Sequence, residues 1–188
     1  MDTNNIYSKT ICVFCGSRAG NKPDYAKDAA SLGRGMAERN WSLIYGAGGT
    51  GIMGTVAEAV QQESGQVVGV IPLHLVDAEA GKTDLKLSIK TENMHERKKV
   101  MFTNSDAIIL LPGGVGSLEE FFEVLTWAQL DLHKKPIIIV NVDGFWDPLL
   151  SLINHVIEQG FAAPSLTSLF VIQKSSEDAL AYLESRFS

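Results

Sequence analysis

The sequence is poor in several things, and each shortage removes a class of function. It has two cysteines in 188 residues. Cys12 and Cys15 have C-x-x-C spacing, but they sit inside an apolar strand-like run, Thr10-Ile11-Cys12-Val13-Phe14-Cys15. A redox pair instead sits at a helix N-terminus, which lowers the thiol pKa. Two buried thiols in a reducing compartment are therefore expected. The four histidines (His74, His95, His133, His155) are scattered and supply no ligand set at metal-site spacing, so no metal is expected. Lys and Arg nowhere gather into a stripe, and the net charge is -6. The electrostatic footprint of a nucleic-acid polymer binder is missing. No apolar run approaches the roughly 20 residues that span a bilayer, so no membrane partner is expected. Met1-Asp2-Thr3-Asn4-Asn5 shows no basic segment followed by an apolar one, and the chain reads as cytoplasmic.

What is present suits one globular domain. A length of 188 residues with 45% hydrophobic content is enough for a core without staples. One domain over 1–188 is expected, with residues 1–9 flexible. Short apolar runs alternate with amphipathic ones. Strands are expected at Ile11–Cys15, Ser42–Tyr45, Val67–Ile71, Leu85–Lys90, Ala107–Leu111, Ile137–Asn141 and Leu169–Ile172. Helices are expected at Asp24–Arg39, Ile52–Glu63, His95–Asn104, Leu118–Leu130, Asp147–Gln159 and Ser176–Arg186, with 72–84 irregular. Continuously apolar strands interleaved with helices imply a parallel sheet covered on both faces. The expected class is α/β, a single-domain Rossmann-like doubly wound sheet, whose ligands bind at the carboxyl ends of the strands.

Glycine clusters follow two of those strands. The first, Gly46-Ala47-Gly48-Gly49-Thr50-Gly51-Ile52-Met53-Gly54, contains G-x-G-x-x-G. A dinucleotide site would also want an acid at the end of the next strand, and Gly69-Val70-Ile71-Pro72 has none, so a nicotinamide cofactor is disfavoured. A phosphate or ribose cradle, with Gly48 and Gly49 at its centre, competes with a tight turn and close helix–strand packing. The second cluster is Pro112-Gly113-Gly114-Val115-Gly116-Ser117-Leu118-Glu119-Glu120. Its amides from Gly114 to Ser117 suit a phosphate at the positive end of the following helix. Ser117-x-x-Glu120 also reads as a capping box, with Ser117 as N-cap. The capping reading leaves three glycines and a proline unexplained.

Met94-His95-Glu96-Arg97-Lys98, paired with that second cluster beginning 14 residues after Lys98, resembles the Lonely Guy (LOG) family. Gly48-Gly49-Thr50-Gly51-Ile52-Met53-Gly54 and Cys15-Gly16-Ser17 resemble it too, in the family's order, from about residue 10 to about residue 180. That family comprises cytokinin riboside 5′-monophosphate phosphoribohydrolases, many of which also accept AMP and carry an older label, lysine decarboxylase. The resemblance implies cleavage of the N-glycosidic bond of N6-modified AMP, releasing base and ribose 5-phosphate, without cofactor. It places Arg97 and Glu120 at the catalytic positions. Glu79, Lys98, Gly114, Val115, Gly116, Ser117, Leu118, Glu119 and Thr126 fall at substrate-contacting ones, and Ser17, Gly48 and Gly49 join the candidates. Ser117 departs from the usual Thr but keeps the hydroxyl. The implied partners are a purine nucleoside 5′-monophosphate and a second copy of the chain.

The chemistry fits these residue types. Ribosyl–base cleavage passes through an oxocarbenium-like state that a carboxylate such as Glu120 stabilises. Arg97 offers a permanently charged fork for phosphate or ribose oxygens. Two rivals remain open: a nucleotide-binding module without catalysis, and a pyridoxal phosphate decarboxylase using Lys98 or Lys99. The first needs no Arg97–Glu120 pair, and no motif supports the second.

Overall fold

The structure, a computed structural model, describes residues 8–75, 85 and 87–188. Among the described residues there are seven strands: β1 (Lys9–Phe14), β2 (Trp41–Tyr45), β3 (Val67–Pro72), β4 (Leu87–Thr91), β5 (Ala107–Leu110), β6 (Ile137–Val140) and β7 (Val171–Gln173). The main helices are α1 (Pro23–Glu38), α2 (Gly51–Gln62), α3 (Met94–Thr103), α4 (Val115–Gln129), α5 (Asp147–Glu158) and α6 (Ser176–Phe187). The strands form one sheet in the order β4-β3-β2-β1-β5-β6-β7. Every pairing is parallel. This is the doubly wound α/β architecture that the alternating pattern implies.

The central strands are short runs such as Ile137–Val140, apolar at every position because both faces are covered. Ile11, Val13, Leu43, Ile109 and Ile138 look toward α1, α2 and α6. Cys12, Phe14, Ile44, Ile108, Leu110 and Ile139 look toward α3, α4 and α5. The two cysteines therefore lie in different clusters, three residues apart on an extended run of about 10 Å. That separation is too great for a disulfide, and both are buried free thiols.

Most elements fall within two residues of the expected positions. β1 starts at Lys9, and the Ser8 amide donates to the Asn40 carbonyl at 3.1 Å. Residues 8 and 9 thus belong to the folded body rather than to a flexible lead-in, and residues 1–7 lie outside the described part. The larger correction concerns α4, which begins at Val115, three residues before the expected Leu118, with Gly114 as N-cap and no side-chain cap. Ser117 is the third helical residue, so the capping box does not form. Its sequence signature lost to glycines that already supply the extended N-cap geometry. A box-like cap exists instead on α3, where the Asn93 side chain accepts from the Glu96 amide at 2.9 Å.

The winding fixes where a ligand can go. The connections from β1 and β2 run over one face, and those from β5 and β6 run over the other, so the chain diverges between β1 and β5. Beyond the strand ends the two exits stay pinned. The Leu111 amide donates to Phe14 O at 3.0 Å and the Gly16 amide to Pro112 O at 3.1 Å. A crevice opens directly above them. Ile109, fully buried at the centre of this arrangement, gives the expectation for stability. Ile109→Ala should cost about 2–5 kcal/mol in chemical denaturation, whereas Leu152→Ala, on an exposed part of α5, should stay within about 0.5 kcal/mol.

Candidate active site

A cavity of about 670 Å³ occupies the crevice. One wall is apolar and comes from the α1–α2 side: Tyr25, Ile52, Met53 and Phe145. The other comes from α3 and α4 and carries the charge: Arg97, Glu119 and Glu120, with Met94 and Met101 beside them. The loops after β1 and β5, together with Gly46 after β2, complete it.

Two helix N-termini meet here, and only one is open to an anion. At α2, the Ile52 amide donates to Arg18 O at 3.4 Å and the Met53 amide to Gly16 O at 3.0 Å. Thr50 Oγ1 donates to Ser17 O at 3.0 Å. The first turn of α2 is thus closed by the loop after β1. Gly51 makes the approach feasible: it has φ +61°, and a Cβ there would overlap the backbone of Ser17 and Arg18. At α4, the Val115, Gly116 and Ser117 amides are first-turn donors without an intrahelical acceptor. Gly114 and Gly116 have nothing within 4 Å of where a Cβ would stand. The dipole and the free amides of α4 therefore face the cavity.

Arg97 is buried, and its guanidinium is tied to the sheet edge. Nε donates to Val70 O at 3.1 Å and Nη2 to Gly46 O at 3.0 Å. Nη1 donates to Met94 Sδ at 3.5 Å, so all three nitrogens have protein partners and Arg97 acts as a fixed charge more than as a free fork. Beside it, Glu120 is half-buried and its pKa is pushed up to about 7. Burial is the main cause, Glu119 and Glu123 add to it, and Arg97 and Lys98 oppose it. Lys98 Nζ is buried between Glu119, to which it donates, and Glu123 at 3.1 Å. Burial works against its charge, but those two partners raise its pKa on balance. A lysine held protonated and turned away from the cavity is unfit for a Schiff base. Among the described residues, no group of His, Cys, Asp or Glu is arranged to hold a metal ion.

A family model described as "Possible lysine decarboxylase" matches residues 53–183. Two cytokinin riboside 5′-monophosphate phosphoribohydrolases of Arabidopsis thaliana are similar over nearly the whole chain. One is 43% identical, covering 94% of this chain and 83% of its own. The other is 42% identical, covering 98% and 85%. The chain belongs to the Lonely Guy family. The solved structure of a molybdenum cofactor binding protein from Rippkaea orientalis has the same fold, with TM-score 0.72 at 23% identity over 96% of this chain and 98% of that one. So does the molybdenum cofactor carrier protein of Chlamydomonas reinhardtii, with TM-score 0.71 at 18% identity over 94% and 96%. At such identities the likeness is one of fold alone.

Of the residues that the Lonely Guy resemblance singles out, Arg97, Glu120, Glu119, Ser17, Gly114, Val115, Gly116 and Ser117 line the cavity. Of the others that are described, none is in its wall. Leu118 packs into the core beneath α4. Lys98 is turned toward Glu119 and Glu123. Thr126 lies on the outer face of α4, its hydroxyl donating to Phe122 O. Gly48 is buried against Met53, and Gly54 makes room for the Gly49 carbonyl. Packing explains this first cluster better than a cradle does. Glu79 lies outside the described residues. Sequence reasoning missed Arg18, Tyr25, Met53, Met94, Met101 and Phe145 in the wall, and the carbonyls that seat Arg97. Backbone acceptors leave no residue-type signal, and apolar wall residues look like core.

Two expectations follow from Glu120. The folded chain holds its proton more tightly than the unfolded chain does. Its contribution to stability is therefore lost as pH rises from the ordinary carboxylate range through about 7. Glu120→Gln should flatten that part of a stability–pH curve measured by thermal melting. In turnover, Glu120→Gln should lose about a hundredfold or more, while Glu119→Gln, on an exposed side chain roughly 100° around the helix, should be milder. Near-normal turnover in the first variant, or a larger loss in the second, would reverse the assignment.

Proposed function

We propose that this chain hydrolyses the N-glycosidic bond of N6-modified AMP, and of AMP itself, releasing free base and ribose 5-phosphate. The observation that carries the reading is a carboxylate beside a seated guanidinium, next to an open helix N-terminus, in a Lonely Guy chain more than 40% identical to named phosphoribohydrolases. The 5′-phosphate sits against the Val115–Ser117 amides, and its binding energy places the sugar. As the C1′–N9 bond breaks, its electron pair leaves with the base and positive charge grows on the ribose. Glu120, as carboxylate, stabilises that charge and orients the water that attacks C1′. Arg97 favours the ionised form of Glu120 by opposing part of the effect of burial. No step needs a cofactor. The raised pKa of Lys98, and its place outside the cavity, argue against the pyridoxal phosphate alternative.

The active form in this reading is a homodimer or larger homo-oligomer acting in the cytoplasm. Val115, Glu119, Phe122, Thr126 and Leu130 form one exposed stripe along α4, with Val115 83% and Leu130 63% exposed. The stripe runs out of the cavity wall, where Val115 and Glu119 also stand. A second copy laid there would cover apolar surface. Light scattering at micromolar concentration should show at least a dimer, and a monomer would count against this assembly. Among the described residues no helix is long and apolar enough to cross a membrane.

The reaction itself is tested by comparing AMP and isopentenyl-AMP with the corresponding nucleosides, following free base by chromatography. The nucleotides should be cleaved and the nucleosides scarcely at all. Equal rates would remove the phosphate anchor from the account, and binding without release of base would favour a non-catalytic nucleotide-binding module. Because Glu120 must be ionised, kcat/KM should rise with pH through about 7.

A further inference from the structure

We infer that Gly46 is a positioning residue for Arg97: its missing side chain is the seat of the guanidinium, and its carbonyl is one of the two acceptors that hold it. This deepens the phosphoribohydrolase reading and rests on it for its effect on turnover. A Cβ built on Gly46 would overlap Arg97 Nη2, and its next neighbours are Arg97 Cζ at 3.0 Å and Nε at 3.5 Å. All three nearest atoms thus belong to one side chain. The backbone of Gly46 is not in the left-handed region, so nothing but space for Arg97 calls for glycine. Its carbonyl accepts from Nη2 at 3.0 Å, while Val70 O on β3 accepts from Nε at 3.1 Å. The remaining nitrogen, Nη1, stands 3.5 Å from Met94 Sδ. The guanidinium is therefore fixed between Gly46, just past the end of β2, and Val70 within the adjacent parallel strand β3.

The seat matters because of what shares its surroundings. Glu120 is influenced by Arg97 and Lys98 from α3 and by Glu119 and Glu123 from its own helix. Cys12 on β1 and Cys15 just after it also lie within its electrostatic reach. Of the two cations, Arg97 is the larger influence favouring ionised Glu120, and Lys98, which also holds Glu119 and Glu123, adds a smaller one. A methyl group at position 46 meets the far end of a flexible side chain rather than backbone. The fold should survive while the guanidinium is expelled from its seat.

The experiment uses Gly46→Ala, Arg97→Ala and the double variant, with two readouts: kcat on AMP, and the titration of the Glu120 carboxyl followed by carbon NMR of the full chain. Gly46→Ala should lose about a hundredfold in kcat, approaching Arg97→Ala, and the double variant should be no worse than Arg97→Ala alone. The Glu120 titration should move to higher pH in both single variants. Wild-type titration and kcat in Gly46→Ala, or losses that multiply in the double variant, would overturn the proposal. Should Gly46→Ala fail to fold, the double variant should fold, since the overlapping atoms are gone, and failure of both would also overturn it. A wild-type chain that releases no base would sink the enzymatic reading, and the titration alone would then decide the role of Gly46.

Discussion

Parallel strands are joined only by crossovers that return over a face of the sheet, and here the crossovers change face between β1 and β5. The site depends on that divergence. It leaves the loops after β1 and β5 lying side by side without a helix above them, held together by the Gly16–Pro112 and Leu111–Phe14 hydrogen bonds. It brings the starts of α1 and α2 to one side and those of α3 and α4 to the other. An apolar wall and a charged wall face each other across the gap because they descend from helices on opposite faces of the sheet.

Within that gap the electrostatics are sorted by hydrogen-bond accounting. Two helix dipoles point into the same region, yet the loop after β1 closes one and leaves the other open. Two cations stand on α3 one residue apart. Lys98 is neutralised by Glu119 and Glu123, and Arg97 is seated on carbonyls that carry no charge. Arg97 therefore keeps a net field to offer. Glu120 takes that field while partly withdrawn from water, with its pKa at about 7. It is poised between its two forms under conditions where an exposed carboxylate would be fully ionised.

Much of this was legible in the sequence, and the failures have physical reasons. The strand–helix alternation was readable because both faces of the sheet are covered, which makes runs such as Ile137–Val140 apolar throughout. Arg97 and Glu120 were readable only as a pair of motifs, since each alone looks like an ordinary charged helix start. The start of α4 was misread because Ser117 and Glu120 have capping spacing, while Gly114 already supplies the extended geometry. The first glycine cluster looked like a cradle because close packing and anion binding demand the same residue. Only the positions of Ser17, Arg18 and Gly49 against Gly51 and Gly54 separate the two. The seat of Arg97 left no trace beyond one glycine among nine residues.

The central claim is that the anion is held at the N-terminus of α4 and not at that of α2. Titrating the 15N-labelled chain with ribose 5-phosphate, while following backbone amide shifts, tests it directly. The account predicts large shifts at Val115, Gly116 and Ser117, with Ile52 and Met53 nearly still because their protons already point at Arg18 O and Gly16 O. Large shifts at Ile52 and Met53 with α4 unmoved would contradict it.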